Sequence, residues 1–251
     1  MCYDDTARPP VHTAPVTGTT SADLRLDSTA DGAPFAAYEA RPDVASGAGV
    51  VILPDVRGLH DFYKRLAVRL AEQGHPAIAI DYYGRTAEDD RRGADFPIME
   101  HVPRLTRDQI QGDVMAAARR LDGPVVALGF CMGGRNAFFL SAPRFGFAGV
   151  IGFYGAPGIA GPYGPGPTQH ANELSAPILG LFGGADHGIT GEMVGEFGDA
   201  LTRAGVAHEL VTYPGAPHGF FDAAYEEHAE ACADAWKRVL AFLPDGPATS
   251  T

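Results

Sequence analysis

Eight short apolar runs recur along this chain, and the segments between them carry apolar residues at helical spacing. The runs are Ala22–Leu26, Phe35–Glu39, Gly49–Leu53, Ala77–Ile80, Val125–Gly129, Ala148–Phe153, Ile178–Phe182 and His208–Thr212. The inner runs are apolar at every position, as strands covered on both faces are. Leu59, Phe62, Tyr63, Leu66 and Leu70 form one helical stripe, and Ile110, Val114, Ala117, Ala118 and Leu121 a second. Met193, Val194, Phe197 and Leu201 form a third, and Tyr225, Ala229, Cys232, Trp236, Val239 and Leu243 the last. Thr106 and Gln109 have the spacing of a capping box at the start of the second. Strands alternating with helices predict an α/β fold, a mostly parallel sheet of about eight strands with helices on both faces. Sites in such sheets lie beyond the C-terminal ends of the strands, so the loops that follow the strands are where chemistry is sought.

The 251 residues suit one large α/β domain or two small ones, and no linker divides the chain. We expect an arm over residues 1–21, extended or loosely packed, a domain over 22–243 and a flexible tail over 244–251. The Gly- and Pro-rich stretch 155–172 reads as a long loop of the kind that often serves function. A net charge of −12 argues against nucleic acid and anionic membrane surfaces as partners. No apolar run is long enough to span a membrane, and the N-terminus lacks the features of a secretory signal. Three cysteines, Cys2, Cys131 and Cys232, make no disulfide framework, which fits a reduced cytoplasmic setting.

The sharpest local signal is G-F-C-M-G-G, Gly129 to Gly134, between an apolar strand and a helical run. This is the context of a nucleophile elbow. Small residues at 129 and 133 let strand and helix approach, and the side chain at 131 stands above the sheet. The helix N-terminus beneath it favours a thiolate. The N–H of Met132 points to where an oxyanion would form. The competing reading is a buried structural cysteine, a common role for the residue. Cys232 lies on an apolar helix face and reads as core.

Two later post-strand loops supply partners. P-I-L-G-L-F-G-G-A-D-H-G contains Asp186, and P-G-A-P-H-G-F-F contains His218. Nucleophile, acid and histidine thus appear in the order found in one class of hydrolases. His218 would take the thiol proton and Asp186 would orient the ring. Against this, an Asp after a G-G turn is often only a turn residue, and nine histidines give chance many opportunities. His187 adjoins the acid and is poorly placed to serve it. His208 opens a strand and reads as structural.

Together the elbow, the G-G-A-D-H turn and the P-H-G-F turn resemble the dienelactone hydrolase (carboxymethylenebutenolidase) family, over roughly residues 22–243. The resemblance implies an α/β-hydrolase fold. No Cys/His cluster has zinc spacing and no G-x-G-x-x-G opens a predicted βαβ unit, so no metal or cofactor is expected. The resemblance also aligns V-V-I-L-P-D-V-R-G-L with a segment where the family carries a glutamate that helps generate the thiolate. Here that position is Asp55, one methylene shorter, and Val56 would give the second oxyanion N–H. A carboxylate at 55 could equally cap the helix expected near Leu59. D-Y-Y-G-R resembles a stretch whose arginine binds the substrate carboxylate, which makes Arg85 a candidate, though loop arginines are usually solvated. The family's second arginine, shortly after the histidine, has no counterpart in His218-Gly219-Phe220-Phe221-Asp222. An acid at 222 would oppose a carboxylated substrate unless it points away to cap the last helix. Phe220 and its neighbour could line an apolar pocket or pack in the core.

These readings predict a monomeric or homodimeric hydrolase that cleaves a small ester or lactone through a cysteine acyl-enzyme. A broad carboxylesterase or thioesterase on the same scaffold is the first alternative. A non-catalytic binding protein that has kept the fold is the second.

Overall fold

The computed structural model describes residues 4–159 and 164–246. Part of the predicted 155–172 loop, most of the predicted tail and Cys2 fall outside them. Eight strands form one sheet in the order β1-β2-β4-β3-β5-β6-β7-β8. They are β1 Thr19–Asp27, β2 Pro34–Pro42, β3 Gly49–Leu53, β4 Ala77–Ile80, β5 Val125–Phe130, β6 Gly149–Phe153, β7 Ile178–Gly183 and β8 His208–Tyr213. β1 pairs antiparallel with β2 and β2 antiparallel with β4, and every pairing from β4 to β8 is parallel.

Every residue of β3, β4, β6 and β7 is buried. Consecutive strand residues point to opposite faces, so helices and loops cover both sides of the central sheet. The edge strand β1 is largely exposed and carries Asp23, Arg25 and Asp27. Charges of this kind guard an edge against pairing with another chain.

The helices are α1 Asp61–Glu72, α2 Ile98–His101, α3 Arg107–Ala118, α4 Met132–Phe139, α5 Gly191–Ala204 and α6 Ala229–Phe242. α3 opens with the predicted capping box. α1 begins at Asp61, and its cap is His60, whose side chain accepts from the Phe62 N–H. The short α2 and the 3-10 turn Val102–Arg104 behind it were not anticipated. One turn is too short to show a periodic stripe. Among the described residues no helix is long and apolar enough to cross a membrane.

The chain leaves β3 toward β4 on one side and returns to β5 on the other, so the topology switches between β3 and β5. A crevice opens at such a point beyond the strand ends. The loop after β3 carries Asp55 and Val56, and the turn after β5 carries Cys131. Gly133 makes their approach possible, because a Cβ there would overlap the carbonyls of Leu53 and Pro54.

Candidate active site

Cys131 sits between β5 and α4 with φ 54° and ψ −113°. A non-glycine residue in that region costs about 1–3 kcal/mol and persists only where its surroundings enforce it. Its N–H bonds the Phe153 carbonyl at 3.0 Å, and its carbonyl begins α4 by accepting from Arg135 N–H at 3.0 Å. The side chain is thereby turned out of the sheet and half-exposed. Met132 is the first residue of α4, so its N–H has no acceptor within the helix.

His218 and Asp186 come from the loops after β8 and β7. His218 Nδ1 lies 2.6 Å from Asp186 Oδ2. The other oxygen of Asp186 accepts from the N–H groups of Gly188 at 2.8 Å and Ile189 at 3.1 Å. That fixes the carboxylate and leaves His218 Nε2 for the hydrogen bond with Cys131. Burial disfavours the charged imidazole, but the hydrogen bonds to Asp186 and Cys131 outweigh it and raise His218 to about 10. Burial likewise opposes charge on Asp186, yet its bonds to His218 and the two N–H groups hold it below its ordinary value. The Tyr154 ring, on a second non-glycine residue of positive φ, lies 5.0 Å from the His218 ring.

Three buried tyrosines fix the turn after β3. Tyr82 hydroxyl donates to the Pro54 carbonyl at 2.8 Å, and Asp55 N–H donates to the Tyr63 hydroxyl at 2.9 Å. Tyr83 hydroxyl donates to the Val56 carbonyl. The Asp55 carbonyl accepts from Gly58 N–H at 3.2 Å. The peptide is planar and trans, so the Val56 N–H points the opposite way from that carbonyl.

Cys131, Met132, Val56 and His218 line one cavity of about 480 Å³. Its walls are mainly apolar, from Val102, Leu105, Ile110, Phe139 and Ile189. No acidic side chain is among the described lining residues, whereas Arg107 and Arg135 are. Arg135 is committed to the 155–172 loop, donating to the carbonyls of Ala156, Gly158, Gly164 and Pro165. Arg107 stacks on Phe139, its guanidinium carbon 3.8 Å from the ring centroid.

The profile of the dienelactone hydrolase family matches residues 35–245. The chain belongs to the dienelactone hydrolase family. A protein of Escherichia coli strain K12, provisionally named a carboxymethylenebutenolidase, is 34% identical over 221 residues, 82% of this chain and 81% of that one. Carboxymethylenebutenolidase of Rhodococcus opacus is 28% identical over 251 residues, 97% of this chain and 96% of that one. A crystal structure from Klebsiella pneumoniae, provisionally titled a dienelactone hydrolase, superposes with a TM-score of 0.76 at 31% identity. That match covers 89% of this chain and 98% of the other. The architecture is that of the α/β-hydrolases, and the family supports a carboxylic ester hydrolase.

Within this dienelactone hydrolase scaffold, three sequence-derived positions lie away from the cavity wall. Arg85 is not a free pocket cation. It donates to both oxygens of Asp31 and both of Asp113, all at 2.8–2.9 Å. Phe220 is fully buried against Phe153, Tyr154 and Tyr213, which makes it core rather than wall. Asp222 points away from the cavity and accepts from the N–H groups of Arg8 and Ala224; the cap of α6 is His228. Asp55 caps no helix. It is fully buried, accepts from Arg57 N–H at 2.8 Å and lies 3.6 Å from Arg57 Nε. Burial pushes its carboxyl up against the opposing pull of Arg57. Tyr154, Arg107 and Arg135 went unseen, although the Thr106 capping box did place Arg107 at a helix start.

Proposed function

We propose that the protein hydrolyses esters or lactones through a thioester on Cys131. The observation that carries this reading is one cavity holding the sulfur, the Asp186-bound imidazole and the backbone of Val56 and Met132. In the resting pair, Cys131 is a thiolate and His218 an imidazolium. The sulfur lone pair adds to the substrate carbonyl carbon. The carbonyl electrons move to oxygen, where the N–H groups of Met132 and Val56 receive the charge. The tetrahedral adduct collapses, the C–O bond breaks, and the His218 proton goes to the leaving oxygen. Acylation removes the negative sulfur, so His218 loses one cause of its raised pKa. The neutral ring then takes a proton from water as the water oxygen attacks the thioester. Collapse of the second adduct releases the acid and restores the ion pair. Asp55 would act on this cycle only by holding the turn that carries Val56, through the Arg57 N–H it accepts. Activated esters and lactones suit a thiolate, which expels good leaving groups readily.

A product assay on a cis-dienelactone and on neutral aryl esters, with wild type and Cys131→Ala, tests this. Equal rates for both proteins on every substrate would end the proposal.

The charge state of His218 sets an expected pH profile. A group raised to about 10 keeps its proton through neutral pH and loses it as pH rises past that value. Background-corrected kcat/KM should therefore fall at high pH, because the leaving oxygen no longer receives a proton. Asp186→Asn should move that fall to lower pH, since the Asp186 hydrogen bond is a main cause of the shift. A basic limb in the same place for both proteins would contradict the assignment.

Arg107 also bears on substrate choice, standing in an apolar cavity with no carboxylate among its described lining residues. It suits an acyl group ending in an anion, as the family resemblance also implies. A charge-assisted hydrogen bond is worth about 1.5–3 kcal/mol, or roughly 10- to 100-fold. Arg107→Gln should raise KM by about that factor for a carboxylated ester and leave a neutral aryl ester within about twofold. An equal change for both esters would rule out the anion-binding role.

A further inference from the structure

We infer that the N-terminal arm, residues 5–16, is a strap that positions both halves of the candidate active site. Asp5 Oδ1 is 3.2 Å from His60 Nε2, and Asp5 Oδ2 accepts from Ala94 N–H at 2.9 Å. His60 Nδ1 accepts from Phe62 N–H, so the ring proton sits on Nε2 and is donated to Asp5. His60 ends the loop that carries Asp55 and Val56. Three residues further along the arm, Arg8 N–H donates to Asp222 Oδ1 at 3.1 Å and the Arg8 carbonyl accepts from Ala223 N–H at 2.9 Å. Asp222 is buried and closes the loop that carries His218. Ala7, between these two attachments, is fully buried.

Beyond them the arm is fastened at three more points. Thr13 Oγ1 accepts from Trp236 Nε1 at 3.1 Å, on α6. The Ala14 carbonyl accepts from Gln73 Nε2 at 3.0 Å, and Val16 N–H donates to the Glu72 carbonyl at 2.8 Å, at the far end of α1. The arm thus touches both ends of α1, about 18 Å apart for twelve residues. Its near end ties the β3 loop to the His218 loop, two segments the sheet itself leaves to separate strands. Neither Asp5 nor Arg8 lines the cavity, so both act through other residues.

The inference rests on the proposed roles of His218 and Val56. The test uses full-length Asp222→Ala, Asp222→Asn and a variant lacking residues 2–9, with turnover of an activated aryl ester and the His218 ring followed by NMR. A misplacement of about 1 Å can cost roughly 100-fold. Asp222→Ala and the shortened chain should lose about ten- to hundredfold in kcat with KM within about twofold. Asp222→Asn keeps the accepting oxygen and should stay near wild type. The His218 ring pKa should fall in the first two variants and hold in the third. A peptide of residues 1–16 should restore kcat to the shortened chain. Unchanged kcat and His218 pKa in Asp222→Ala would overturn the inference, as would an Asp222→Asn variant equally impaired. Should the shortened chain fail to fold, the two Asp222 variants decide. Should the wild type show no Cys131-dependent turnover, the hydrolytic reading fails, and the His218 ring pKa alone decides whether the strap positions that loop.

Discussion

Cys131→Ala is expected to lower kcat/KM for an activated ester by roughly 10⁴-fold or more, with no loss of fold. The size follows from what the sulfur does in the proposed cycle. It is both the attacking atom and one of the groups that keep His218 protonated. Without it the cavity still offers two N–H groups and an imidazole, and water becomes the only nucleophile. A residual rate above buffer is therefore expected, as when a hydrolase nucleophile is removed but its oxyanion site remains. The fold should survive because the side chain is half-exposed and the strain at φ 54° belongs to the backbone, which alanine shares. Cys131→Ser separates the two effects. A hydroxyl at 131 brings no resting negative charge, so the His218 pKa should drop, and the variant must depend on the ring as a base. Measured turnover, together with mass detection of a substrate-derived adduct on wild type and none on Cys131→Ala, checks this. An adduct elsewhere in the chain would transfer the chemistry away from the elbow.

The parts of the molecule that were legible in its sequence share a physical cause. Strands such as β6 and β7 are buried at every position, so their apolar runs are unbroken and their ends are marked by turn residues. The elbow was legible because a strained turn between strand and helix demands glycine at 133 and tolerates little else. Arg85 shows where such reading stops. Its loop is visible, but its partners Asp31 and Asp113 lie 54 and 28 residues away, and only the fold brings them to the guanidinium. Phe220 illustrates the same limit, since wall and core look alike in an apolar pair. The cap of α1 escaped notice because a histidine supplies it through ring Nδ1, where Ser, Thr, Asp or Asn is the usual signal. Tyr154 reaches the cavity from a segment with no motif of its own. The capping box places Arg107 at a helix start, but that either residue faces the cavity follows from tertiary packing.

The second large effect concerns stability, and it lies beside the site rather than in it. Arg92 and Asp81 form a buried ion pair with both side chains about 1% exposed. Arg92 Nε and Nη2 donate to the two oxygens of Asp81 at 2.9 and 2.7 Å. Its third nitrogen donates to the carbonyls of Asp89 and Arg91, and its guanidinium rests over Phe96. Asp81 also accepts from Leu59 N–H at 3.0 Å and Tyr83 N–H at 2.8 Å. The pair therefore pins the 84–97 loop and the turn that leads from Val56 into α1 to one point. Arg92→Met keeps much of the volume and removes the charge, leaving the Asp81 carboxylate buried with only backbone donors. Breaking one side of a buried pair costs about 3–5 kcal/mol. For a domain of this size, each 1 kcal/mol lowers Tm by about 2–4 °C, so a fall on the order of 10 °C is expected. Adding Asp81→Asn should return part of that loss, because the amide oxygen can still accept one backbone N–H and no charge is stranded. Calorimetry on the wild type, the single variant and the double variant measures it. A single variant that melts within about 2 °C of wild type would mean that water reaches Asp81 and that the loop is held by other contacts. The double variant should also recover kcat less than Tm, since the Leu59 N–H that orders the Val56 turn regains only an uncharged acceptor.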